Sequence, residues 1–343
     1  MSIQNNLFII AELSANHGGN IETALQTVRA AKRTGADAIK LQTYTADTIT
    51  LDSDKEDFII KGGTLWDNKR LYDLYNDAYL PWEWHEEIFQ VAKEEGLVCF
   101  SSPFDKTAVD FLENLGNPIY KIASFEITDI PLIEYVASKG KPIIISTGIA
   151  EYEDIELAVK TCRDAGNNDI TLLKCTSSYP APVEEANLIM MQQFAKDFGV
   201  KVGLSDHTLG TTVPVVATAL GAAVIEKHFI LDKSIGGPDA SFSLDEKEFT
   251  EMVKAVRDAE KAVGNISYET TEKQKAGKAF ARSLYVAEDI KEGELFTEKN
   301  IRSVRPGFGM HPKYYRDIVG LRSKRNLTHG DRLDINDISD EIA

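Results

Sequence analysis

The chain has 343 residues, 43% of them hydrophobic, which supports one large packed core with a smaller module beside it and excludes a disordered chain. Its 38 Lys and Arg stand against 54 Asp and Glu, and the formal net charge of -16 opposes non-specific binding to nucleic acid or to an anionic membrane. The opening LFII is too short for a signal peptide, lacks a basic leader and runs into Glu12, so a soluble cytoplasmic protein is expected.

Eight short apolar runs succeed one another, and each ends in residues that an apolar core has no use for. LFIIAEL closes on Glu12, DAIKLQT carries Lys40, and LVCFSSP brings Ser101 and Ser102. IYKIAS carries Lys121 and Ser124, PIIISTG ends in Ser146 and Thr147, and TLLKCTSS in Thr176 and Ser177. KVGLSDH and AAVIEKH deliver Ser205, Asp206, His207 and His228. Between them run helical patterns: IETALQTVRAAKRTG, WEWHEEIFQVAKEEG, KTAVDFLENLG, PLIEYVASKG, DIELAVKTCRDAG and EEANLIMMQQFAKDFG. Most end in Lys or Arg followed by Gly, as helix C-termini do. Such alternation predicts a (β/α)8 TIM barrel over residues 1–264, closed by the helix DEKEFTEMVKAVRDAEKAVG, with its chemistry on the rim at the strand C-termini.

One insertion interrupts the rhythm. Residues 43–80, including DKEDFIIKGG and LWDNKRLYDLY, are too long for an ordinary βα loop and are expected to form a lid or a specificity wall at the barrel mouth. Beyond Gly264 a polar stretch, 265–282, reads as a linker. Residues 283–343 read as a small β-rich module built from ARSLYVAEDI, GELFTEKNIRSVRPGFG and RNLTHGDRLDINDI. Cys99, Cys162 and Cys175 lack metal-type spacing and are expected to be reduced core residues.

His207 and His228 fall at the ends of consecutive strands, hence side by side in a barrel. The spacing leaves open a divalent-metal pair, completed by water or substrate, and a pair of hydrogen-bonded rim residues. Glu12, Asp206, Glu226 and Asp239 bring carboxylates to the same mouth. Glu12 suits acid-base work or an ion pair with Lys40, Glu226 a supporting place deeper in the barrel, and Asp239 an inward reach from the last loop or a turn cap. Lys40 and Lys121, with Ser102, Ser124, Ser146 and Ser177, suit a phosphate and a carboxylate held together in a locally basic pocket. A lysine in a barrel strand also permits Schiff-base chemistry. Arg305, on the RPGFG turn, is expected to be presented outward rather than buried.

In order along the chain, AELSANHGG, ADAIKLQT, CFSSPF, YKIASFE, IISTG, KCTSSYP, GLSDHT, EKHF and VRPGFG resemble the sialic acid synthase family. The resemblance implies a TIM barrel joined to a C-terminal antifreeze-like, or SAF, domain. It implies condensation of phosphoenolpyruvate with an open-chain acetamido sugar to give a nine-carbon 2-keto acid and phosphate, with cleavage of the C–O bond. The 43–80 insertion and PGFGMHP resemble the branch that converts 2,4-diacetamido-2,4,6-trideoxy-L-altrose to pseudaminic acid; N-acetylneuraminic or legionaminic acid is the alternative product.

Carried over to this sequence, the resemblance implies that His207 and His228 bind Mn2+, with Mg2+ or Co2+ as alternatives. Lys40, Ser102, Lys121, Ser124, Ser146, Ser177 and Ser205 then match the phosphoenolpyruvate pocket, Glu12 and Asp239 carboxylates at the sugar and metal, and Tyr179 the sugar site. Ser177 stands where some members have Asn, which shortens its reach. Arg305 matches an arginine that the SAF domain of one subunit sends into the other subunit's active site in a homodimer. A lysine Schiff-base aldolase and a non-catalytic sugar- or ice-binding protein are the rival readings, and the intact rim of lysines, histidines and carboxylates opposes the second.

Overall fold

The computed structural model describes residues 7–61, 63 and 66–339. Gly62, Thr64 and Leu65, within the insertion, and the last residues of the C-terminal module lie outside the described residues. The chain divides into two compact units, 1–264 and 265–343.

The first unit is a closed barrel of eight parallel strands in sequence order: β1 (Phe8–Glu12), β2 (Ala38–Thr43), β3 (Val98–Pro103), β4 (Tyr120–Ile122), β5 (Ile143–Ser146), β6 (Ile170–Cys175), β7 (Lys201–Asp206) and β8 (Val224–His228). β1 pairs with β8 to close the ring, with Glu12 opposite both Lys40 and His228. Alternate residues of each strand face the helical ring, where Ile9, Ile39, Ile145, Leu172 and Ile225 join the main core.

Local chemistry explains where the helices begin and stop. Ile21–Thr34 starts at Asn20, whose side chain accepts from the Glu22 and Thr23 amides, and stops at Gly35 in the left-handed region with φ 86°. The closing helix Glu246–Val263 opens on a reciprocal capping box between Asp245 and Glu248. Two expectations need correction. The segment read as one helix from EEANL onward is a 3-10 turn, Val183–Glu185, followed by the helix Met190–Phe198. Thr212–Ala219 is a helix that the periodic patterns did not include, because TVPVVATA is apolar on nearly every side.

The insertion folds into the short helix Ala46–Ile49, a 3-10 turn at Glu56–Phe58, an isolated bridge between Ile59 and Arg70, and the helix Leu71–Ala78. In the second unit the supposed linker contains a helix, Glu272–Gly277, capped by Thr271. The module beyond pairs β9 (Ser283–Val286) with β10 (Ile301–Val304) antiparallel around a core that includes Leu284, Phe296, Ile301 and Leu333. RNLTHGDRLDINDI, read as one of the short runs of this β-rich module, joins it through isolated bridges, among them Tyr285 to Arg332 and Ile290 to Leu327. No described helix is long and apolar enough to cross a membrane.

Candidate active site

Ile10, Ala38, Phe100, Ile119, Ile144, Leu173 and Val224 pack together as a plug inside the barrel. The period of two then places Glu12, Lys40, Ser102, Lys121, Ser146, Cys175 and Glu226 one layer nearer the strand C-termini. Ser205 holds the same place on β7 two residues after Gly203, where a Cβ would run into the Val224 carbonyl and the Leu173 side chain. Every strand thus contributes one inward polar or thiol group to a single layer.

The charges in that layer pair off. Lys40 Nζ lies 2.7 Å from Glu12 Oε2 and 3.6 Å from Glu226 Oε2, and Lys121 Nζ lies 3.7 Å from Glu226 Oε1. Lys121 also donates to Ser146 Oγ at 2.7 Å, Lys40 to Ser102 Oγ at 3.4 Å, and Ser205 to Glu226 at 3.0 Å. Two cations face two carboxylates, so the expected locally basic pocket is charge-balanced instead. Glu12 is the ion-paired member, with Gln42 also donating to its Oε1 at 3.0 Å. Burial pushes the Glu12 carboxyl up to about 7 against the opposing pull of Lys40. Burial would likewise raise Glu226, but Lys121 and Lys40 outweigh it and hold that carboxyl below its usual range.

Above this layer, Ser124 and Ser177 share a hydrogen bond of 2.8 Å. The His207 and His228 rings lie with centroids 5.3 Å apart, and Tyr179 packs on His207 at 4.3 Å. His207 Nδ1 lies 2.9 Å from the Thr176 carbonyl oxygen, to which Nδ1–H donates; burial works to lower this ring, but Cys175 and Thr176 outweigh it and hold the ring above its usual range. His228 Nδ1 is buried without a hydrogen-bond partner, 3.8 Å from Asp239 Oδ2. Burial, and then the positive field of His207 and Lys40, holds the His228 ring well below its usual range, hence neutral. Asp239 accepts from Ser14 Oγ at 2.5 Å and the Ala15 amide at 3.3 Å, so the last loop does bring this carboxylate inward.

Ser124, Tyr179, His228 and Asp239 border a cavity of about 430 Å³. Its polar end carries Ser14, Gln42, Ser124, Glu126, His228 and Asp239; its apolar wall, with Ile49, Ile60, Leu71 and Leu74, comes from the insertion. Tyr179 and Phe242 also line the cavity. Glu12, Lys40, Ser102, Lys121, Ser146 and Ser205 are buried behind this wall rather than on it.

The neutral His228 ring with its buried unpaired nitrogen, the His207 ring beside it and the adjacent Asp239 carboxylate fit a divalent ion, with its remaining positions left to water or substrate. Among the described residues, no three His, Cys, Asp or Glu side chains are gathered closely enough to hold an ion unaided. Other expectations change. Asp206 points away from the mouth and pairs with Lys227 behind the barrel wall, because on β7 it has the opposite parity to Ser205 and His207. Cys99 and Cys162 are buried in the core, but Cys175 faces the site, 4.0 Å from His207 Nδ1 and 3.9 Å from Ser177 Oγ. Arg305 lies exposed on the second unit just after β10. Sequence reading missed Gln42, although it shares the parity of Lys40, and Glu126, whose Oε2 is buried without a hydrogen-bond partner.

A parallel barrel that gathers a polar or thiol group from every strand, several of them ionisable, at its C-terminal rim defines a barrel enzyme. A model of the NeuB family matches residues 27–268, and one of the SAF domain matches residues 281–339. The chain is 52% identical over 327 residues, 95% of each chain, to a pseudaminic acid synthase of Campylobacter jejuni. It is 48% identical to one of Helicobacter pylori, over 96% of this chain and 97% of that one. The crystal structure of an N-acetylneuraminic acid synthetase from Leptospira borgpetersenii, 30% identical, matches with a TM-score of 0.71 over 80% of this chain and 90% of that one. The chain belongs to the NeuB family, the sialic acid synthases, and is an enzyme of the pseudaminic acid synthase type.

Proposed function

We propose that this enzyme condenses phosphoenolpyruvate with open-chain 2,4-diacetamido-2,4,6-trideoxy-L-altrose, giving pseudaminic acid and phosphate with cleavage of the phosphoenolpyruvate C–O bond. The observation that carries this reading is the two-sided site: a buried layer of lysines and hydroxyls at the strand C-termini, and a histidine pair of which His228 lines the cavity. Likeness to pseudaminic acid synthases over nearly the whole chain supports the choice of sugar. The apolar wall supports it too, since it suits acetamido methyls and a deoxygenated C6 better than hydroxyls.

Lys40 and Lys121, with Ser102, Ser124, Ser146, Ser177 and Ser205, hold the phosphate and carboxylate of phosphoenolpyruvate in this reading. His207 and His228, with Asp239 beside them, would hold Mn2+, or Mg2+ or Co2+ in its place; such an ion polarises the sugar carbonyl as a Lewis acid when bound. Tyr179 and Asp239 orient the sugar so that its aldehyde carbon meets C3 of the enol, where the new carbon–carbon bond forms. Glu12 takes the proton of the water that adds at C2, and the resulting tetrahedral adduct collapses to the 2-keto acid as phosphate leaves. Arg305 of one subunit of a homodimer contacts an N-acetyl group in the active site of the other.

The test offers this diacetamido sugar, its D-manno counterpart and N-acetylmannosamine side by side with Mn2+ and measures phosphate release. The L-altro sugar is expected to react fastest, and phosphoenolpyruvate labelled with 18O at the bridging position is expected to deliver the label to phosphate. Preference for N-acetylmannosamine would overturn the choice of sugar, and a borohydride-trapped pyruvate adduct on Lys40 or Lys121 would overturn the mechanism.

A further inference from the structure

Asp206 and Lys227 are Cα partners across β7 and β8, one residue before His207 and His228 respectively. Both side chains face away from the cavity, and both are essentially sealed from solvent, with 1% and 0% of their side-chain surface exposed. The Lys227 ammonium donates to Asp206 Oδ2 and to the Thr208 carbonyl oxygen, and Asp206 Oδ1 accepts from the Thr208 amide at 2.9 Å. His207 therefore sits between two residues that one ammonium on the neighbouring strand holds together. Its ring is fixed separately, by Nδ1 on the Thr176 carbonyl.

A buried ion pair is a poor source of stability, because desolvating both charges offsets most of their attraction and an apolar pair of similar volume often does as well. What it supplies at this position is register between two strand ends. We propose that Lys227 is a positioning residue that sets the spacing of His207 and His228 from behind the barrel wall, tuning the affinity of the pair for a divalent ion. This rests on the reading of the two histidines as metal-holding groups. An imidazole held on a rigid backbone loses less freedom on binding, and supporting contacts of this kind are commonly worth 10- to 100-fold in metal affinity.

Mn2+ titration of the substrate-free full-length protein, followed by the electron paramagnetic resonance signal of free Mn2+, tests it alongside metal-free melting curves. Wild type is expected to bind Mn2+ and His207→Ala to lose binding. Lys227→Met, which leaves Asp206 buried without its partner, is expected to melt below wild type in the absence of metal and, at temperatures where it is folded, to bind Mn2+ about 10-fold or more weakly. Asp206→Asn, which keeps a side-chain acceptor for Lys227, is expected to fall between them and serves if Lys227→Met does not fold. Wild-type Mn2+ affinity in whichever of the two variants folds would overturn the positioning role while leaving the metal site intact. Unchanged binding in His207→Ala would overturn the metal reading and the positioning role with it.

Discussion

Glu126 illustrates how a single residue escapes a strand-based reading. It lies in YKIASFE, five residues after Lys121, so strict alternation from Lys121 would turn it, like Ser124, away from the barrel interior. The 3-10 turn Ser124–Glu126 that ends β4 resets the phase and turns its carboxylate to the cavity. Burial pushes this carboxyl up to about 7, against Lys121, from an ordinary value of 4.5. The folded state thus holds the extra proton, and the group's contribution to stability, full below about pH 4.5, is lost as pH rises through about 7. Glu126→Gln is therefore expected to gain on wild type by about 1–2 kcal/mol between pH 5.5 and pH 8.5 in urea unfolding. A pH-independent difference would show that the carboxyl ionises normally. His207 and His228, in contrast, were legible, because each directly ends an unambiguous apolar run.

At the scale of elements, the strands were read nearly residue for residue, since period-two burial is a local property of the chain. The segments at the strand exits were less legible. Gly148, at the exit of β5, shows why: an added Cβ there would collide with the hydroxyls of both Ser124 and Ser177, which come from the exits of β4 and β6. The close approach of three exits, not any local turn, makes glycine necessary. Gly148→Ala is expected to part the two serines and raise the phosphoenolpyruvate KM about 10-fold or more, with a much smaller change in melting temperature. Initial-rate kinetics with each substrate varied in turn would check it, and an effect confined to the sugar KM would contradict it.

For the whole molecule, each unit has its own hydrophobic core, and the proposed dimer requires Arg305 to serve a neighbouring barrel. Mixing inactive Arg305→Ala with inactive His207→Ala and allowing subunits to exchange is then expected to restore up to about a quarter of wild-type activity. Half of the dimers would be mixed, each with one intact site of two. No recovery after verified exchange would mean that Arg305 acts within its own chain or not at all.

The sequence by itself determined the order of the strands, the barrel, and which side chains of each strand share its inner face, because spacing along one segment decides these. Only the tertiary structure decided that Lys40 and Lys121 are matched by Glu12 and Glu226, that Asp206 is paired by Lys227, and that the insertion lines the cavity with apolar groups. The reason is physical. Charge pairing and burial depend on distances between segments far apart in sequence, and those distances exist only once the eighth strand closes on the first.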